Sequence, residues 1–324
     1  MIGIVIPFYQ KQAGLLRRAL LSVESQHEKS GWRIYVVDDG SPSPIEGELR
    51  GLPVSLTQRI QILRQGNAGP GAARNRALNA LPAGVSIVAF LDSDDIWGSG
   101  HLGNIRDAFA AGADFYFSDH RREEDKETRF TQCAFRPDGS RIANCNANGF
   151  WCDSSALFRA IILRSPVGTS TVALRRDRIG TKRFLPGFRA AGEDSIFWLE
   201  ILAEGARVAC SQDNEVLYGR GVSIFNHRSW GDARSLRTTL DQMRAQLYLR
   251  NNFPLDDTLL AESDARCRDL DLAFCSAVMA CGRRLQWAAT APAIAYARTR
   301  PMALAQLPRA LFRALQPQHE RTAS

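Results

Sequence analysis

Short apolar runs alternate with longer amphipathic segments over the first hundred residues of the chain. Apolar residues recur at helical spacing in segments 14–26 and 71–81, which predicts a helix in each. Four apolar runs predict strands, at positions 2–6, 33–37, 59–63 and 85–91. Because these strands are almost continuously apolar and alternate with helices, we predict an α/β fold with a mostly parallel, buried sheet and helices on both faces.

The alternation of apolar runs with amphipathic segments is weaker after Asp95. Segment 121–129 mixes both charge signs and is typical of a solvated loop or helix face. From about Trp230 the chain is helical in pattern and basic, which indicates a helical C-terminal extension. Three further elements are predicted between Asp95 and Trp230: strands at 114–118 and 170–174 and a helix at 193–204.

Acidic and aromatic residues follow the predicted strands at the edge where ligands of open α/β sheets bind. Carboxylates gathered at one edge repel one another unless a cation lies between them. The pattern therefore predicts a metal–nucleotide site. Its residues, in chain order, are Pro7, Phe8, Tyr9, Asp38, Asp39, Asp92, Ser93, Asp94 and Asp95.

Asp92 and Asp94 lie two residues apart on the turn that leaves the fourth strand. Mg²⁺ often takes only one or two carboxylates beside substrate phosphates, and it neutralises charge on a diphosphate leaving group. A solvated acidic turn is the alternative. An EF-hand would need a glycine and a distal glutamate that are missing here. A haloacid-dehalogenase phosphatase would carry the motif after its first strand.

Two other segments fit a nucleotide. A carboxylate at Asp38 or Asp39 can accept hydrogen bonds from a base or a ribose, although Asp-Gly-Ser is also ordinary turn chemistry. Gly69 and Arg74 lie where a helix begins, so that the backbone can approach a ligand and the arginine can pair with phosphate. The segment partly matches a dinucleotide fingerprint, but Arg74 replaces its third glycine and the segment follows the third strand.

Glu193 and Asp194 precede a strongly apolar helix. A carboxylate held there, near a metal–diphosphate, can take a proton from an attacking hydroxyl, and such general-base catalysis is worth ~10²–10⁴-fold. The alternative is a helix cap with favourable charge at the dipole.

The 324 residues carry a formal net charge of +7, which suits an anionic partner and does not choose among a nucleotide, a phospholipid surface and nucleic acid. The seven cysteines show no C-x-x-C spacing, which favours free thiols over a zinc site or a disulfide framework. We find no leader pattern and no apolar run of the ~20 residues that a bilayer span needs. A cytoplasmic protein is expected, with a peripheral place on the inner face of the membrane.

Five motifs in the first 224 residues resemble, in the right order, family 2 glycosyltransferases of the GT-A fold. They are Val5-Ile6-Pro7-Phe8-Tyr9, Val37-Asp38-Asp39-Gly40-Ser41, Asn67-Ala68-Gly69 with Ala73-Arg74-Asn75, Leu91-Asp92-Ser93-Asp94-Asp95, and Gly192-Glu193-Asp194.

The resemblance implies inversion at the anomeric carbon by direct displacement from a nucleotide-diphosphate sugar. It implies that Asp39 lies at the base of the nucleotide, that Asp94 is the main ligand of Mn²⁺ or Mg²⁺ with Asp92 nearby, and that the Glu-Asp pair supplies the base. We favour Asp194 as the base, with Glu193 as the reserve.

A narrower resemblance joins the start of the chain and residues 219–231 to glucosyltransferases of bacterial exopolysaccharide assembly, the succinoglycan type. It implies a UDP-sugar donor, with glucose as the first guess, and a lipid-linked saccharide acceptor; nucleic acid is not expected. Many members carry a histidine near the position of Gly221. Here His227 or Arg220 would serve, and His227 is the candidate third metal ligand.

The implied organisation is a catalytic domain at 1–228, with a nucleotide-binding half at about 1–118 and an acceptor-side half at about 119–228. A helical, basic region follows at 229–324. Positions 272–319 contain six arginines and no acid, and leucines in 304–315 share one helical face, typical of a helix in the headgroup region. Packing on the catalytic domain is the alternative. The competing function is an inactive nucleotide-sugar-binding or regulatory protein on the same fold.

Overall fold

The computed structural model describes residues 1–142, 148–219 and 232–310. These residues form two compact units. In the described ranges, the first unit comprises 1–142, 148–187 and 193–219, and the second comprises 188–192 and 232–310. The predicted boundary after residue 228 lies outside the described residues, as do His227 and Arg220.

One sheet organises the first unit. Its hydrogen-bonded order is β3-β2-β1-β4-β8-β6-β9-β5, and β7 pairs with β9. The strands of the described chain are β1 (Ile2–Phe8), β2 (Trp32–Asp38), β3 (Ile60–Arg64), β4 (Ile87–Phe90), β5 (Ile96–Trp97), β6 (Phe115–Arg122), β7 (Gly149–Cys152), β8 (Ala173–Arg175) and β9 (Val208–Tyr218).

The sheet is parallel where β1 to β4 pair and mixed beyond β4. β1 pairs in parallel with β2 and β4, and β2 pairs in parallel with β3. β8 is antiparallel to both β4 and β6, whereas β9 runs parallel to β6 and antiparallel to β5 and β7. The carboxyl ends of β1, β2 and β4 therefore meet at one edge.

Helices of the first unit connect these strands and cover the sheet. Their apolar faces join β1 and β2 in a core that includes Ile4, Ile6, Leu16, Leu20 and Val36. The helices are α1 (Leu15–Glu24), α2 (Ile45–Leu49), α3 (Val54–Thr57), α4 (Pro70–Ala80), α5 (His101–Ala110), α6 (Arg129–Gln132), α7 (Ser154–Arg164), α8 (Arg176–Ile179) and α9 (Glu193–Leu202), with a 3₁₀ turn at Thr169–Thr171.

The second unit is helical. It consists of α10 (Ala233–Asn252), α11 (Asp257–Arg283) and α12 (Thr290–Thr299), with 3₁₀ turns at Trp287–Ala289 and Pro301–Gln306. Phe274 and Tyr296 stack in its core with ring centroids 4.1 Å apart, and the Tyr296 hydroxyl donates to Asp271 at 3.0 Å. Within the described ranges, no helix is both long and apolar enough to cross a membrane.

The predicted α/β fold and helical extension are confirmed, and two predicted segments are wrong in part. The first half of the strand expected at 170–174 is a 3₁₀ turn, and β8 begins only at Ala173. The Thr171 hydroxyl donates to the Gly168 carbonyl at 2.7 Å, a local bond that competes with strand pairing. Segment 121–129, predicted as a loop or helix face, begins inside β6, because Arg121 and Arg122 pair with β9.

The cysteines in the described ranges are unbridged. Cys145 lies outside those ranges.

Candidate active site

The turn after β4 presents two carboxylates at the carboxyl edge of the sheet. Ser93 and Asp95 are buried, whereas Asp92 and Asp94 are only half-buried. The backbone N–H of Asp95 donates to the Asp92 carbonyl at 3.1 Å and closes the turn. Burial thus alternates along the turn and leaves Asp92 and Asp94 as its more accessible acids.

Asp95 fixes the turn from inside the protein. Its carboxylate accepts hydrogen bonds from the Ser170 hydroxyl at 2.6 Å and from the Gly219 N–H at 3.0 Å. Burial raises the pKa of Asp95 well above its ordinary value, and the carboxylates of Asp94 and Asp92 raise it further. The turn is therefore a concentration of negative charge that a cation would stabilise.

Arg74 joins this turn to the start of α9. The guanidinium is buried and donates to Asp92 Oδ1 at 2.7 Å and to Glu193 Oε1 at 3.0 Å. It also lies over the Phe184 ring, 5.4 Å from the centroid. The arginine that the sequence assigns to phosphate thus bridges the two acidic motifs, which are 101 residues apart.

Glu193 is the buried member of the acidic pair. Burial raises the pKa of Glu193 to about 7; the Asp194 carboxylate adds to the rise and Arg74 opposes it. Gly71 in α4 packs against it so closely that an added β-carbon would lie 3.2 Å from Glu193 Cγ. The Glu193 carboxylate is therefore enclosed and committed to Arg74.

Asp194 is the more accessible member of the pair. It is half-buried, and its Oδ2 accepts a hydrogen bond from the Thr169 hydroxyl at 2.8 Å. Its Oδ1 accepts from the backbone N–H of Ser195 at 2.7 Å. Two fixed donors hold this carboxylate in one orientation at the start of α9, where the helix dipole favours its charge.

Asp39 is buried and anchors the loop before α4. Its carboxylate accepts from Gln65 Nε2, from the Ala68 N–H and from the Gly69 N–H, each at 2.8 Å. Gly69 adopts a φ of +97°, a conformation that favours glycine. Asp39 thus shapes the entrance to α4, while Asp38 is half-buried and accepts from the Ser41 N–H at 2.9 Å.

The end of β1 is tied to both acidic strand ends by Gln10, which the sequence did not single out. Its side-chain amide donates to the Ser93 hydroxyl at 3.0 Å, and its backbone N–H donates to the Ser41 hydroxyl at 3.0 Å. Beside it, Phe8 is buried, and Pro7 and Tyr9 are half-buried. The structure therefore brings the three predicted strand ends together at one edge.

The residues present suit a divalent cation in part. Across residues 1–142, 148–219 and 232–310, no group of three or more His, Cys, Asp and Glu side chains is placed to hold a metal. Asp92 and Asp94 nevertheless offer hard oxygen ligands at the exposed side of the turn. Mg²⁺ accepts one or two carboxylates when substrate phosphates and water complete its shell. His227, the candidate third ligand, lies outside the described residues.

Sequence reasoning missed the residues that connect the motifs, chiefly Thr169 and Ser170. Their signal was the run Thr169-Ser170-Thr171, whose hydroxyl groups can bond backbone and carboxylate groups locally. The same run is β-branched and apolar at its end, so its pattern predicts a strand.

Comparison with known proteins identifies the family to which the chain belongs. The model of glycosyl transferase family 2 matches residues 3–164, half of the chain. The succinoglycan biosynthesis protein ExoW of Rhizobium meliloti is 31% identical over 239 residues, which cover 69% of this chain and 70% of that protein.

Solved structures support the fold. TarS of S. aureus, crystallised as residues 1–349 with UDP-GlcNAc, superposes with a TM-score of 0.59 at 16% identity, covering 93% of this chain and 81% of that one. The mannosyltransferase PcManGT of Pyrobaculum calidifontis, in complex with GDP-Man and Mn²⁺, gives 0.54 at 16% identity, covering 99% and 82%. The expected GT-A fold is confirmed, and the chain is a glycosyltransferase that belongs to glycosyl transferase family 2.

Proposed function

We propose that the protein is an inverting, metal-dependent hexosyltransferase, with UDP-glucose as the first candidate donor. The acceptor is a hydroxyl of a growing, lipid-linked exopolysaccharide or surface-polysaccharide repeat. One observation carries the catalytic part: Arg74 contacts Asp92 and Glu193 at once. The turn that would hold the metal–diphosphate and the helix start that would hold the base therefore lie within the reach of one side chain.

In this proposal Asp194 is the catalytic base. Its half-buried carboxylate takes the proton of the acceptor hydroxyl while that oxygen bonds to the anomeric carbon. The bond between the anomeric carbon and the diphosphate breaks on the opposite face, so the configuration inverts. Glu193 remains paired with Arg74 and orients it. Mn²⁺ or Mg²⁺, held by Asp94 and Asp92, would neutralise the charge of the departing diphosphate.

The residues predicted to contact the nucleotide lie at the same edge of the sheet. We assign the base and ribose to Pro7, Tyr9, Asp38 and Asp39, and the resemblance implies that Asp39 is the contact to the base. The Asp39 carboxylate also accepts from the Gly69 N–H and so shapes the loop before α4.

Relatives support the donor class. TarS structures carry UDP-GlcNAc or UDP, and the Pyrobaculum protein carries GDP-Man with Mn²⁺. A nucleotide-sugar therefore suits this fold, and the likeness to a succinoglycan biosynthesis protein favours an exopolysaccharide acceptor for this chain. UDP-glucose is proposed as the donor because the sequence motifs resemble those of exopolysaccharide glucosyltransferases.

We propose that the catalytic domain comprises residues 1–228, with its nucleotide-binding and acceptor-side halves meeting near residue 118, and that the basic helical region comprises residues 229–324. The charge of that region suits the anionic inner face of the cytoplasmic membrane.

The test is transfer from a panel of nucleotide sugars, UDP-glucose, UDP-GlcNAc and GDP-mannose, with Mn²⁺ and with EDTA. The product's anomeric configuration is read by NMR. We expect Mn²⁺-dependent transfer from UDP-glucose and a configuration opposite to that of the donor. Retention of configuration, or equal rates in EDTA, would contradict the proposal.

The competing function is a protein that binds nucleotide-sugar without catalysis. It predicts a donor-dependent thermal shift with no transfer and no slow release of free UDP in the absence of acceptor. The accessible Asp194 beside an intact Asp92–Asp95 turn favours catalysis.

A further inference from the structure

A buried turn at residues 168–171 touches both carboxylate groups of the site, although none of the five motifs includes it. On one side, the Ser170 hydroxyl donates to Asp95 Oδ2 at 2.6 Å and accepts from the Asp92 N–H at 2.9 Å. On the other side, the Thr169 hydroxyl donates to Asp194 Oδ2 at 2.8 Å. Adjacent side chains of one turn thus hold the proposed metal turn and the proposed base.

The turn itself is held rigidly by its surroundings. The Ser170 N–H donates to the Tyr218 hydroxyl at 3.2 Å, and the Ser170 carbonyl accepts from Trp97 Nε1 at 2.7 Å. Gly168 leaves no room for a side chain, because an added β-carbon would lie 2.9 Å from His120 Cε1. Thr169 and Ser170 are both buried. Their hydroxyls are therefore fixed in place before any substrate arrives.

We propose that Thr169 is a positioning residue for the base Asp194, and that the 168–171 turn sets the spacing between this base and the Asp92–Asp95 turn. This inference rests on the proposed function of Asp194. The Thr169 hydroxyl donates to Oδ2 and the Ser195 N–H donates to Oδ1, so the two bonds together fix the rotamer of the carboxylate that would take the acceptor proton. Loss of the Thr169 bond should slow the chemical step. It should not weaken binding of the nucleotide-sugar, because no residue that contacts the nucleotide-sugar is removed.

The test compares Thr169→Val, which keeps the shape and removes the hydroxyl, with Thr169→Ser, which keeps the hydroxyl. Ser195→Ala is the matched control, because its hydroxyl lies 3.5 Å from the same carboxylate while its backbone N–H bond survives the change. We expect Thr169→Val to lower kcat by about 10-fold or more with the donor KM within about twofold. Thr169→Ser should restore most of kcat, and Ser195→Ala should match the wild type.

Three outcomes would overturn the inference: wild-type kcat in Thr169→Val, equal losses in the valine and serine variants, or a raised donor KM with kcat unchanged. Asp194→Asn is measured alongside. If Asp194→Asn is fully active, the proposed base is wrong. If it is inactive while Thr169→Val is normal, only the positioning role fails. Should Thr169→Val not fold, Thr169→Cys replaces it, since its thiol is only a weak donor.

A second feature, an exposed apolar tip, lies between α11 and α12 in the helical unit. Leu285 and Trp287 are 75% and 82% exposed, an unusual state for large apolar side chains so close together. Leu285 also has a φ of +50°, a left-handed conformation that favours glycine or asparagine. Neither packing nor backbone preference therefore accounts for a leucine there. Arg283 and Arg284 come directly before it.

We infer that this tip, residues 283–287, inserts Leu285 and Trp287 into the interface of an anionic lipid membrane. Tryptophan is enriched at headgroup level, and adjacent arginines attract anionic lipids. The charge is suitable, because positions 272–310 contain five arginines and no acidic residue. The sequence pattern placed this contact at 304–315 instead. Leu304 is 50% exposed, and 311–315 lie outside the described residues.

Co-sedimentation with vesicles tests the tip, using phosphatidylcholine alone and phosphatidylcholine mixed with phosphatidylglycerol. The variant Leu285→Asn/Trp287→Ala is expected to fold, because asparagine tolerates the left-handed conformation. It should bind the anionic vesicles at least ~10-fold more weakly than the wild type. Val54→Ala, at an exposed position of α3, is the control and should bind normally. Added salt should weaken wild-type binding.

Equal binding by the variant and the wild type would overturn the assignment. The assignment would also be overturned if the wild-type protein binds neither kind of vesicle and instead forms a dimer that Trp287→Ala dissociates. In that case the tip would belong to an interface with a second copy of the chain.

Discussion

Replacing Glu193 by glutamine tests the electrostatics of the site without using its activity. Glutamine keeps the size of the side chain and can still accept a hydrogen bond from Arg74, but it does not titrate. In the wild type, burial and Asp194 raise the pKa of Glu193 to about 7 from 4.5. The folded state therefore retains a proton on Glu193 over a pH range in which the unfolded chain releases it.

The sign and size of the effect follow from that difference. Stability contributed by a carboxyl with a raised pKa is fully present below pH 4.5 and is lost as the pH rises through 7. The pKa change corresponds to about 3 kcal/mol. Relative to the wild type, Glu193→Gln should therefore gain about 3 kcal/mol of unfolding free energy between pH 4.5 and pH 8.

The assay is urea-induced unfolding of both proteins across this pH range, followed by circular dichroism. Glu200→Gln, a half-buried glutamate on the same helix, is the matched control. A difference between Glu193→Gln and the wild type that stays constant with pH would refute the reasoning. It would mean that Arg74 keeps Glu193 ionised as an ordinary carboxylate throughout.

Three further predictions concern the same contacts. Arg74→Met should destabilise the fold by ~3–5 kcal/mol in urea unfolding at pH 8, where Glu193 of the wild type is ionised, because it leaves that buried carboxylate without its cation, and adding Glu193→Gln should recover part of the loss. Gly71→Ala should cost about 1–3 kcal/mol in the same assay, because its β-carbon would lie 3.2 Å from Glu193 Cγ and from Phe184 Cβ. Asp94→Ala should abolish Mn²⁺-dependent stabilisation by UDP in thermal shift, whereas Asp177→Asn, which removes one exposed acid elsewhere, should retain it; equal shifts would contradict the metal assignment.

The parallel half of the sheet could be read from the sequence because its strands are buried on both faces. Their apolar runs are continuous, and β1 to β4 lie close to the predicted segments. The turn before β8 could not be read in the same way. Thr169 and Ser170 look like strand residues locally, but their conformation is decided by Asp95 and Asp194, which lie 75 and 25 residues away in the chain.

The same limit applies to Arg74. Its position at the start of a helix predicts a phosphate contact, which stays a prediction, and in the fold its guanidinium pairs with two carboxyl groups of the protein. That these groups belong to Asp92 and Glu193, the latter 119 residues away, depends on tertiary packing that no local pattern encodes. Short-range periodicity thus located the predicted site segments, whereas the connections between them required the fold.

The central proposal is that Asp194 acts as the base of an inverting transfer, and its most direct test is the kinetics of Asp194→Asn. Donor affinity is measured by titration with UDP-glucose and Mn²⁺, and turnover is measured by initial rates on one acceptor. We predict donor affinity near that of the wild type and turnover lower by at least ~10²-fold, with a smaller loss for Glu193→Gln. Normal turnover in Asp194→Asn would place the base elsewhere and contradict the mechanism.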